Sequence, residues 1–251
     1  MSSVQVASGD YTFGQRTTSV YVATGLTLDA SRFRASLSVP FVAQSEGWVQ
    51  VVGGGVVPSG GMRGDLGESS SMTHGSGMMG TPQSGSANGV MGLGDPVARL
   101  DMDLGRSPGG VGTLRAVLAT KVPLASLSSG FGTGEWDLGA GLSAAGSVSG
   151  TFLFADATYW ALGDPATVDL RNIASYGLGA GRSLAGGRVG VLGSLIGSTS
   201  VAAGIPASLQ GGGSVSYRTA DGRDILVTVL AGLSRSAPDV AVGAAWRILL
   251  R

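Results

Sequence analysis

The segment from Phe131 to Gly150 alternates between two kinds of residue. From Trp136 onward, one set of alternate positions is apolar, whereas the other set holds carboxylates, glycine and small residues. Successive side chains of a strand point to opposite sides, so this period of two predicts a β-strand with two unlike faces. The apolar face begins with Trp136, and an indole ring is favourable at a membrane–water boundary. One such segment also fits a soluble β-sandwich, so the rest of the chain must decide.

The same alternation recurs along the chain in about twelve segments. The short links DASR, RSPGG, SVSG, AGGR and TADGR alternate with longer links. An even number of strands joined by alternating short turns and long loops is typical of outer-membrane barrels. The sequence therefore predicts an all-β fold, a transmembrane antiparallel up-and-down β-barrel of about twelve strands. One of these strands is predicted to pass through Leu170, Ala174, Tyr176 and Leu178, and Pro40 is predicted at a strand end or a bulge.

Composition agrees with a membrane barrel. Mean hydropathy is +0.30 and charged residues are 13%, yet no run of 18 apolar residues predicts a transmembrane helix. An apolar all-β soluble protein is the other interpretation. The formal net charge of +0 gives no electrostatic reason to expect a nucleic-acid partner, and zero Cys residues exclude thiol chemistry. Polar residues follow Met1 directly, so we expect a mature chain, without its signal peptide, in the bacterial cell outer membrane.

Energetics predicts which face of each strand is inside. An arginine facing lipid costs about 2–4 kcal/mol at the bilayer midplane, a large share of a total stability of about 5–15 kcal/mol. We therefore predict the following pore-lining residues: Arg99, Asp101, Asp103, Arg115, Lys121, Asp137, Phe152, Phe154, Asp156, Arg171, Arg218 and Arg247. The predicted membrane-interface aromatics are Trp136, Tyr176 and Trp246.

The alternation stops between Ala43 and Met91, where Gly, Ser, Met and Pro dominate. Within a single barrel domain spanning residues 1–251, residues 43–91 are predicted to form a long extracellular loop. Its VVGGGVV part is expected to fold as a hairpin or to enter the barrel as a plug.

Several motifs, in order, give the chain a family resemblance: SLSVPFV followed by WVQVVGGGVV, then GLGD, KVPL, GTGEWD, YWALGD and SAPDVAVGAAW. Together they resemble the outer-membrane β-barrel family associated with the meta-pathway of phenol degradation. The resemblance covers nearly the whole chain and implies a transporter-like barrel; some members are encoded near aromatic-degradation genes, and their solutes are mostly unassigned. Leu250 and Arg251 depart from the pattern, because barrels usually end in an aromatic residue.

No pattern predicts catalytic, cofactor-binding or metal-binding residues. His74 is the only histidine and has no partner at useful spacing, so it is interpreted as a solvated loop residue. The Met62, Met72, Met78 and Met79 cluster could bind a soft metal but is better explained as adaptable apolar filler. The glycine runs lack the strand–loop–helix context and the lysine of a phosphate-binding loop.

These observations predict a monomeric, non-enzymatic channel for passive diffusion of small solutes, with aromatic or apolar ones suggested by Phe152 and Phe154. Its partners would be the lipid bilayer, or detergent, and a small-molecule solute. The alternative is a non-conducting structural or surface-binding barrel. The inward charges allow both interpretations, since they could set selectivity or neutralise one another while filling the lumen.

Overall fold

A computed structural model describes residues 1–11, 16–45, 49–52, 55–58, 90–107, 111–125, 131–164, 169–219 and 223–247. Fifteen strands form in chain order: β1 Ser2–Gly9, β2 Thr17–Asp29, β3 Phe33–Gln44, β4 Val49–Val52, β5 Gly55–Pro58, β6 Val90–Leu93, β7 Val97–Arg106, β8 Gly112–Lys121, β9 Asp137–Val148, β10 Thr151–Ala161, β11 Ile173–Leu184, β12 Val189–Ser198, β13 Ser208–Arg218, β14 Asp224–Gly232 and β15 Val240–Arg247. The described residues also include a short 3-10 turn at Ala185–Gly187.

The wall is a closed antiparallel barrel. Each wall strand pairs with the wall strands before and after it in the chain, with β6 and β7 both pairing with β3, and β1 pairs with β15, which joins the first strand to the last. Closure removes the two free edge strands that an open sheet would expose to a membrane interior. Because β6 and β7 pair with successive parts of β3, they count as one interrupted strand. The wall therefore has twelve strands, which confirms the predicted fold class.

The interruption between β6 and β7 explains the position of Pro40. Phe41 pairs with Leu93 and Ser38 pairs with Val97, so the β6–β7 side has one more residue than the β3 side. That extra residue is a bulge, and Pro40 lies opposite it, where the ladder needs no N–H from β3. The predicted bulge at Pro40 is confirmed.

The two ends of the barrel differ in their connections. Short turns join β2 to β3, β7 to β8, β9 to β10, β11 to β12 and β13 to β14 at one end, which we call the short-turn end. The tightest is a two-residue turn in which Ser149 and Gly150 both have positive φ, as a type I′ hairpin requires. The longer connections lie at the opposite, long-loop end.

The strand faces agree with the predicted alternation. Large apolar side chains that point outward are exposed on all wall strands, for example Leu26, Leu100, Leu142 and Val229. Their cross-strand partners are likewise outward residues, so the outside of the barrel is an apolar belt of the kind that lipid covers. Among the described residues, no helix is long and apolar enough to cross a membrane.

Two predicted boundaries need correction. The strand expected to begin at Leu170 begins at Ile173, because Leu170 is buried in the preceding loop rather than paired in the wall. The strands beside the predicted 43–91 loop also extend further, since β3 ends at Gln44 and β6 begins at Val90. Within that loop, β4 and β5 pair as a separate two-stranded antiparallel sheet, consistent with the hairpin alternative.

Candidate functional site: the barrel interior

The charged residues predicted on β7 and β8 face the barrel interior, where they form ion pairs. Arg99 binds Asp101 through Nη2 at 2.7 Å and through Nε at 3.0 Å. Arg115 Nε donates to Asp103 Oδ1 at 2.7 Å across the two strands. Asp103 also accepts from Arg106 at 2.7 Å. The partly exposed Arg99 and Arg115 keep part of their charge in contact with the interior space.

Lys121 and Asp137 form a different, fully buried arrangement with Asp95 and Thr133. The Lys121 ammonium lies 3.1 Å from Asp137 Oδ2 and 3.3 Å from Asp95 Oδ2, and it also donates to the Thr133 hydroxyl. The side chains of Lys121, Asp95 and Asp137 are 4%, 3% and 0% exposed. We call Asp95, Lys121, Thr133 and Asp137 the ionic cluster.

The ionic cluster holds the connections at the long-loop end. Asp95 Oδ1 accepts from the Ala125 N–H at 2.8 Å, which fixes the start of the β8–β9 connection. Asp137 Oδ1 accepts from the Gly163 N–H at 3.1 Å, which fixes the residues after β10. The GLGD, KVPL, GTGEWD and YWALGD motifs therefore meet at one place. Their shared role is to anchor neighbouring loops to the rim of the wall.

The inward side chains of β10 lie over glycines of the neighbouring strands. The Trp160 ring covers Gly139 of β9, so that a Cβ there would be 3.0 Å from the ring. Phe154 covers Gly179 of β11 in the same way, and Asp156 covers Gly177. Phe152 lies at the short-turn end of the strand, with its ring centroid 6.3 Å from that of Phe154. Large side chains thus lie along the wall instead of crossing the lumen.

An apolar cluster fills part of the interior at the long-loop end. Trp160 and Ile173 face inward on β10 and β11, and two loops fold over them. The Ser200 hydroxyl donates to the carbonyls of Ala202 and Ile205, which shapes one of these loops. The buried members of this apolar loop cluster are Trp160, Leu162, Leu170, Ile173, Val201, Ala202 and Ile205. Val97 and Ala119 pack against it from β7 and β8.

A second, smaller apolar group lies on the opposite part of the inner wall. Ala7, Leu230 and Ala241 are buried together, and Ile196 packs against them. All four lie within three residues of the long-loop ends of their strands. The long-loop half of the interior therefore holds two buried apolar groups beside the ionic cluster, together with buried polar residues such as Thr158, Ser198 and Ser208.

The short-turn half contains an open cavity of about 380 Å³. Its charged lining residues are Arg34, Arg99, Asp101, Arg115 and Arg247, and its hydroxyl-bearing lining residues include Ser3, Ser36, Ser38 and Ser143. We call this cavity the arginine basin. Because arginine cannot lose its proton in proteins, the basin is charged at every physiological pH.

Three predicted pore-lining residues lie outside the middle of the wall. Arg171 precedes β11 and is exposed in a loop, where its backbone N–H donates to the Val201 carbonyl. Arg218 lies at the short-turn end of β13 and pairs with Asp224 at 2.8 Å. Arg247 ends β15 at the same end. Only Arg171 is absent from the inner wall, because the strand begins two residues after it.

The predicted interface aromatics all point outward. Trp136 lies just before β9 at the long-loop end, and Trp246 lies near the short-turn end of β15. Tyr176 lies on β11, with its ring over Gly197 of β12. Their relative exposures of 55%, 38% and 37% leave them accessible to a surrounding membrane. The interface role stays a prediction.

The residues considered for metal binding lie outside the described part of the chain, namely His74, Met62, Met72, Met78 and Met79. Leu250 and Arg251 lie outside it as well. Within the described ranges, no three His, Cys, Asp or Glu side chains are grouped closely enough to hold a metal ion.

Sequence reasoning missed three members of the interior network. The GLGD motif contains Asp95 without marking a site role for it, and no sequence pattern marks Thr133 or Arg34 as site residues. The topology offers a signal for Asp95 and Thr133, because the end of β8 must lie beside the start of β9 in an antiparallel barrel. A lysine at one strand end beside an aspartate at the next strand start, Lys121 and Asp137, marks where further buried partners should be sought.

Comparison with solved structures identifies the architecture. An outer membrane channel from Pseudomonas putida F1 superimposes with a TM-score of 0.66, covering 98% of this chain and 92% of the channel at 10% identity. The chain has the fold of an outer-membrane channel. The NanC porin gives a TM-score of 0.51 at 6% identity, covering 99% of this chain and 100% of the porin.

The two neighbours are channels and not enzymes. At identities of 10% and 6% the likeness concerns the fold, and neither neighbour's name carries an association with phenol degradation. No protein-family model and no curated protein matches the chain. The resemblance to the phenol-degradation family therefore stays a prediction, whereas the outer-membrane channel fold is established.

Proposed function

We propose that this protein is a monomeric outer-membrane channel through which small solutes diffuse passively. The observation that carries the proposal is the arginine basin inside a closed barrel whose outer face is apolar. Charged side chains around a cavity are stable in a membrane when water fills that cavity, because unpaired buried charge is expensive. A barrel of twelve strands has room for such a narrow passage.

The solutes are proposed to include aromatic or otherwise apolar molecules. Phe154 presents aromatic surface along β10, and two buried apolar clusters lie in the long-loop half. Transfer of an apolar solute from water to such surfaces is favourable in free energy. Because the β10 rings lie over glycines, the passage keeps its width beside them.

The proposed location is the bacterial outer membrane, with the short-turn end in the periplasm. This orientation follows the general asymmetry of such barrels, in which short turns are periplasmic and long loops extracellular. The apolar loop cluster and the ionic cluster then lie toward the outside of the cell. The arginine basin opens toward the periplasm.

A second candidate is a non-conducting barrel that serves a structural or surface-binding role. The observation that favours it is the apolar loop cluster, since Val201, Ala202 and Ile205 are almost fully buried inside the long-loop mouth. Hydrophobic constrictions can exclude water and ions without a complete steric block.

Single-channel conductance in a planar bilayer distinguishes the two candidates. The refolded protein is added to a bilayer in 1 M KCl, and folding is verified by heat-modifiable migration on a gel. Discrete conductance steps are expected from the folded form and none from a heat-denatured control. Silence from a demonstrably folded barrel would reject the channel and leave the non-conducting barrel.

A further inference from the structure

Charge is distributed unequally along the barrel axis. Near the short-turn end, the described residues include nine arginines against three aspartates: Arg32, Arg34, Arg106, Arg115, Arg182, Arg188, Arg218, Arg223 and Arg247 with Asp29, Asp103 and Asp224. Near the long-loop end, the described part of the chain has seven acidic residues and four basic ones: Asp10, Asp95, Glu135, Asp137, Asp164, Asp169 and Asp239 with Arg16, Lys121, Arg171 and Arg235. A formal net charge of +0 therefore hides a positive short-turn end.

Inside the barrel, this excess is concentrated in the arginine basin. Four arginines line it, and Asp101 is its one lining carboxylate. Arg34 pairs with Asp29, Arg99 with Asp101, and Arg115 with Asp103. Asp103 must also neutralise Arg106. Three carboxylates thus serve four guanidinium groups before Arg247 is considered.

Arg247 is the basin arginine whose guanidinium donors are available to a ligand. Its cross-strand neighbour Asp224 is already paired with Arg218 at 2.8 Å. Among the described residues Arg247 itself forms no ion pair within 4 Å, although it lies near enough to Asp29 to act on that carboxylate electrostatically. Asp156 on β10 lies within electrostatic reach of Arg99 and adds one further carboxylate. Five arginines against four aspartates leave about one unmatched positive charge around the basin.

Resting on the proposed channel function, we propose that the arginine basin binds small organic anions, each with a single carboxylate and an apolar body. The planar guanidinium fork matches a carboxylate in two parallel hydrogen bonds, and each arginine carries five N–H donors. One carboxylate partner leaves some of these donors available. The hydroxyls of Ser36, Ser38 and Ser143 add neutral donors beside them.

The apolar part of the ligand follows from the other half of the interior. A solute whose carboxylate sits in the basin extends its body along an inner wall that carries Phe154 and, further toward the long-loop end, the partly buried Ile196. A fully hydrated inorganic anion gains nothing from those surfaces. An uncharged apolar molecule gains nothing from the basin.

Ion selectivity tests the charge of the basin. Reversal potentials in a KCl gradient should show that chloride is more permeant than potassium in the wild type. The Arg247→Gln variant should lower the chloride-to-potassium permeability ratio roughly twofold to fivefold, the effect expected for one partly screened charge a few ångströms from an ion. The matched control is Arg188→Gln, because Arg188 is exposed in the β11–β12 turn and does not line the basin. It should leave the ratio unchanged.

Binding tests the ligand class independently of conduction. Isothermal titration of the detergent-folded protein compares benzoate with acetate, which lacks an apolar body, and with benzyl alcohol, which lacks the charge. Benzoate should bind at least fivefold more tightly than either, and Arg247→Gln should weaken benzoate toward benzyl alcohol. Arg188→Gln should bind benzoate as the wild type does.

The outcomes separate the ligand inference from the channel proposal. Conductance without anion preference and without tighter benzoate binding overturns the inference and leaves the channel intact. A silent but folded barrel that still binds benzoate through Arg247 rejects the channel and retains the site. Equal binding of acetate and benzoate rejects the apolar part, because charge alone would then account for recognition.

Discussion

The ionic cluster and the arginine basin use the same side-chain chemistry in opposite surroundings. In the ionic cluster, the Lys121 side chain is 4% exposed and that of Asp137 is 0% exposed. In the basin, the carboxylates of Asp101 and Asp103 are 10% and 13% exposed, but their partners Arg99 and Arg115 are 40% and 32% exposed. Charges enclosed by protein must satisfy one another, whereas charges beside an open cavity can also bind water or a solute. The same ion-pair motif therefore anchors loops at one end and is available for binding at the other.

Enclosure also changes what an ion pair is worth. Replacing both partners of a buried ion pair by apolar residues changes the stability of a protein little. Removing one partner is costly, because the remaining charge is then buried without a counter-charge or water. In a partly exposed pair, water can solvate the charge that remains after one partner is removed, so the stability of the protein changes little. The two sites thus predict unequal responses to the same kind of substitution.

The largest effect is expected from Lys121→Met. This substitution keeps the length of the side chain but leaves Asp95 and Asp137 facing each other, buried, without their cation. The free energy of unfolding should fall by about 3–5 kcal/mol. Urea-dependent folding into lipid vesicles, followed by tryptophan fluorescence, measures the change.

Arg188→Gln removes one positive charge from an exposed turn and serves as the control for Lys121→Met. Its unfolding midpoint should match that of the wild type. If Lys121→Met were equally silent, the ionic cluster would not be enclosed and the contrast between the two regions would collapse.

The next effect in size is expected from Ile205→Ala in the apolar loop cluster. Ile205 is 6% exposed and packs inside the long-loop mouth, so truncation should destabilise the protein by about 2–4 kcal/mol. A looser apolar constriction should also admit water more readily and raise the single-channel conductance. Planar-bilayer recordings give the conductance, and vesicle unfolding gives the stability.

Leu124→Ala is the matched control for Ile205→Ala. Leu124 lies in another connection at the long-loop end, but it is 73% exposed, so neither stability nor conductance should change. Unchanged conductance in Ile205→Ala would place the narrowest part of the passage elsewhere in the barrel.

The sequence predicted the barrel because each strand carries its own evidence. Alternation in β7 and β9 assigns both faces without reference to any other strand, and the cost of lipid-exposed charge decides which face is inside. Tight turns such as that at Ser149 and Gly150 are likewise local. Fold class and strand faces were therefore predictable.

The interior clusters depend on loops, in which apolar and polar residues do not alternate with a regular period. Val201 and Ile205 look like ordinary loop residues in the sequence, and nothing local shows that they fold over Trp160 and Ile173. Leu170 was assigned to a strand because its apolar character fits the alternation, although it belongs to the same cluster. In the same way, the identity of the partners of Lys121 depends on which connections fold inward. Tertiary packing, which a local pattern does not encode, decided these positions.

The smallest effect on stability is expected from Asp101→Asn in the arginine basin. Asn keeps an oxygen that can accept from Arg99, and the 40% exposed Arg99 side chain can bind water where the charge is lost. The free energy of unfolding should therefore change by about 0–1 kcal/mol, far less than in Lys121→Met. Selectivity should shift instead, because the basin gains one unmatched positive charge: the chloride-to-potassium permeability ratio should rise, opposite to the change in Arg247→Gln. A large loss of stability with unchanged selectivity would show that Asp101 is structural, and that the basin resembles the ionic cluster rather than contrasting with it.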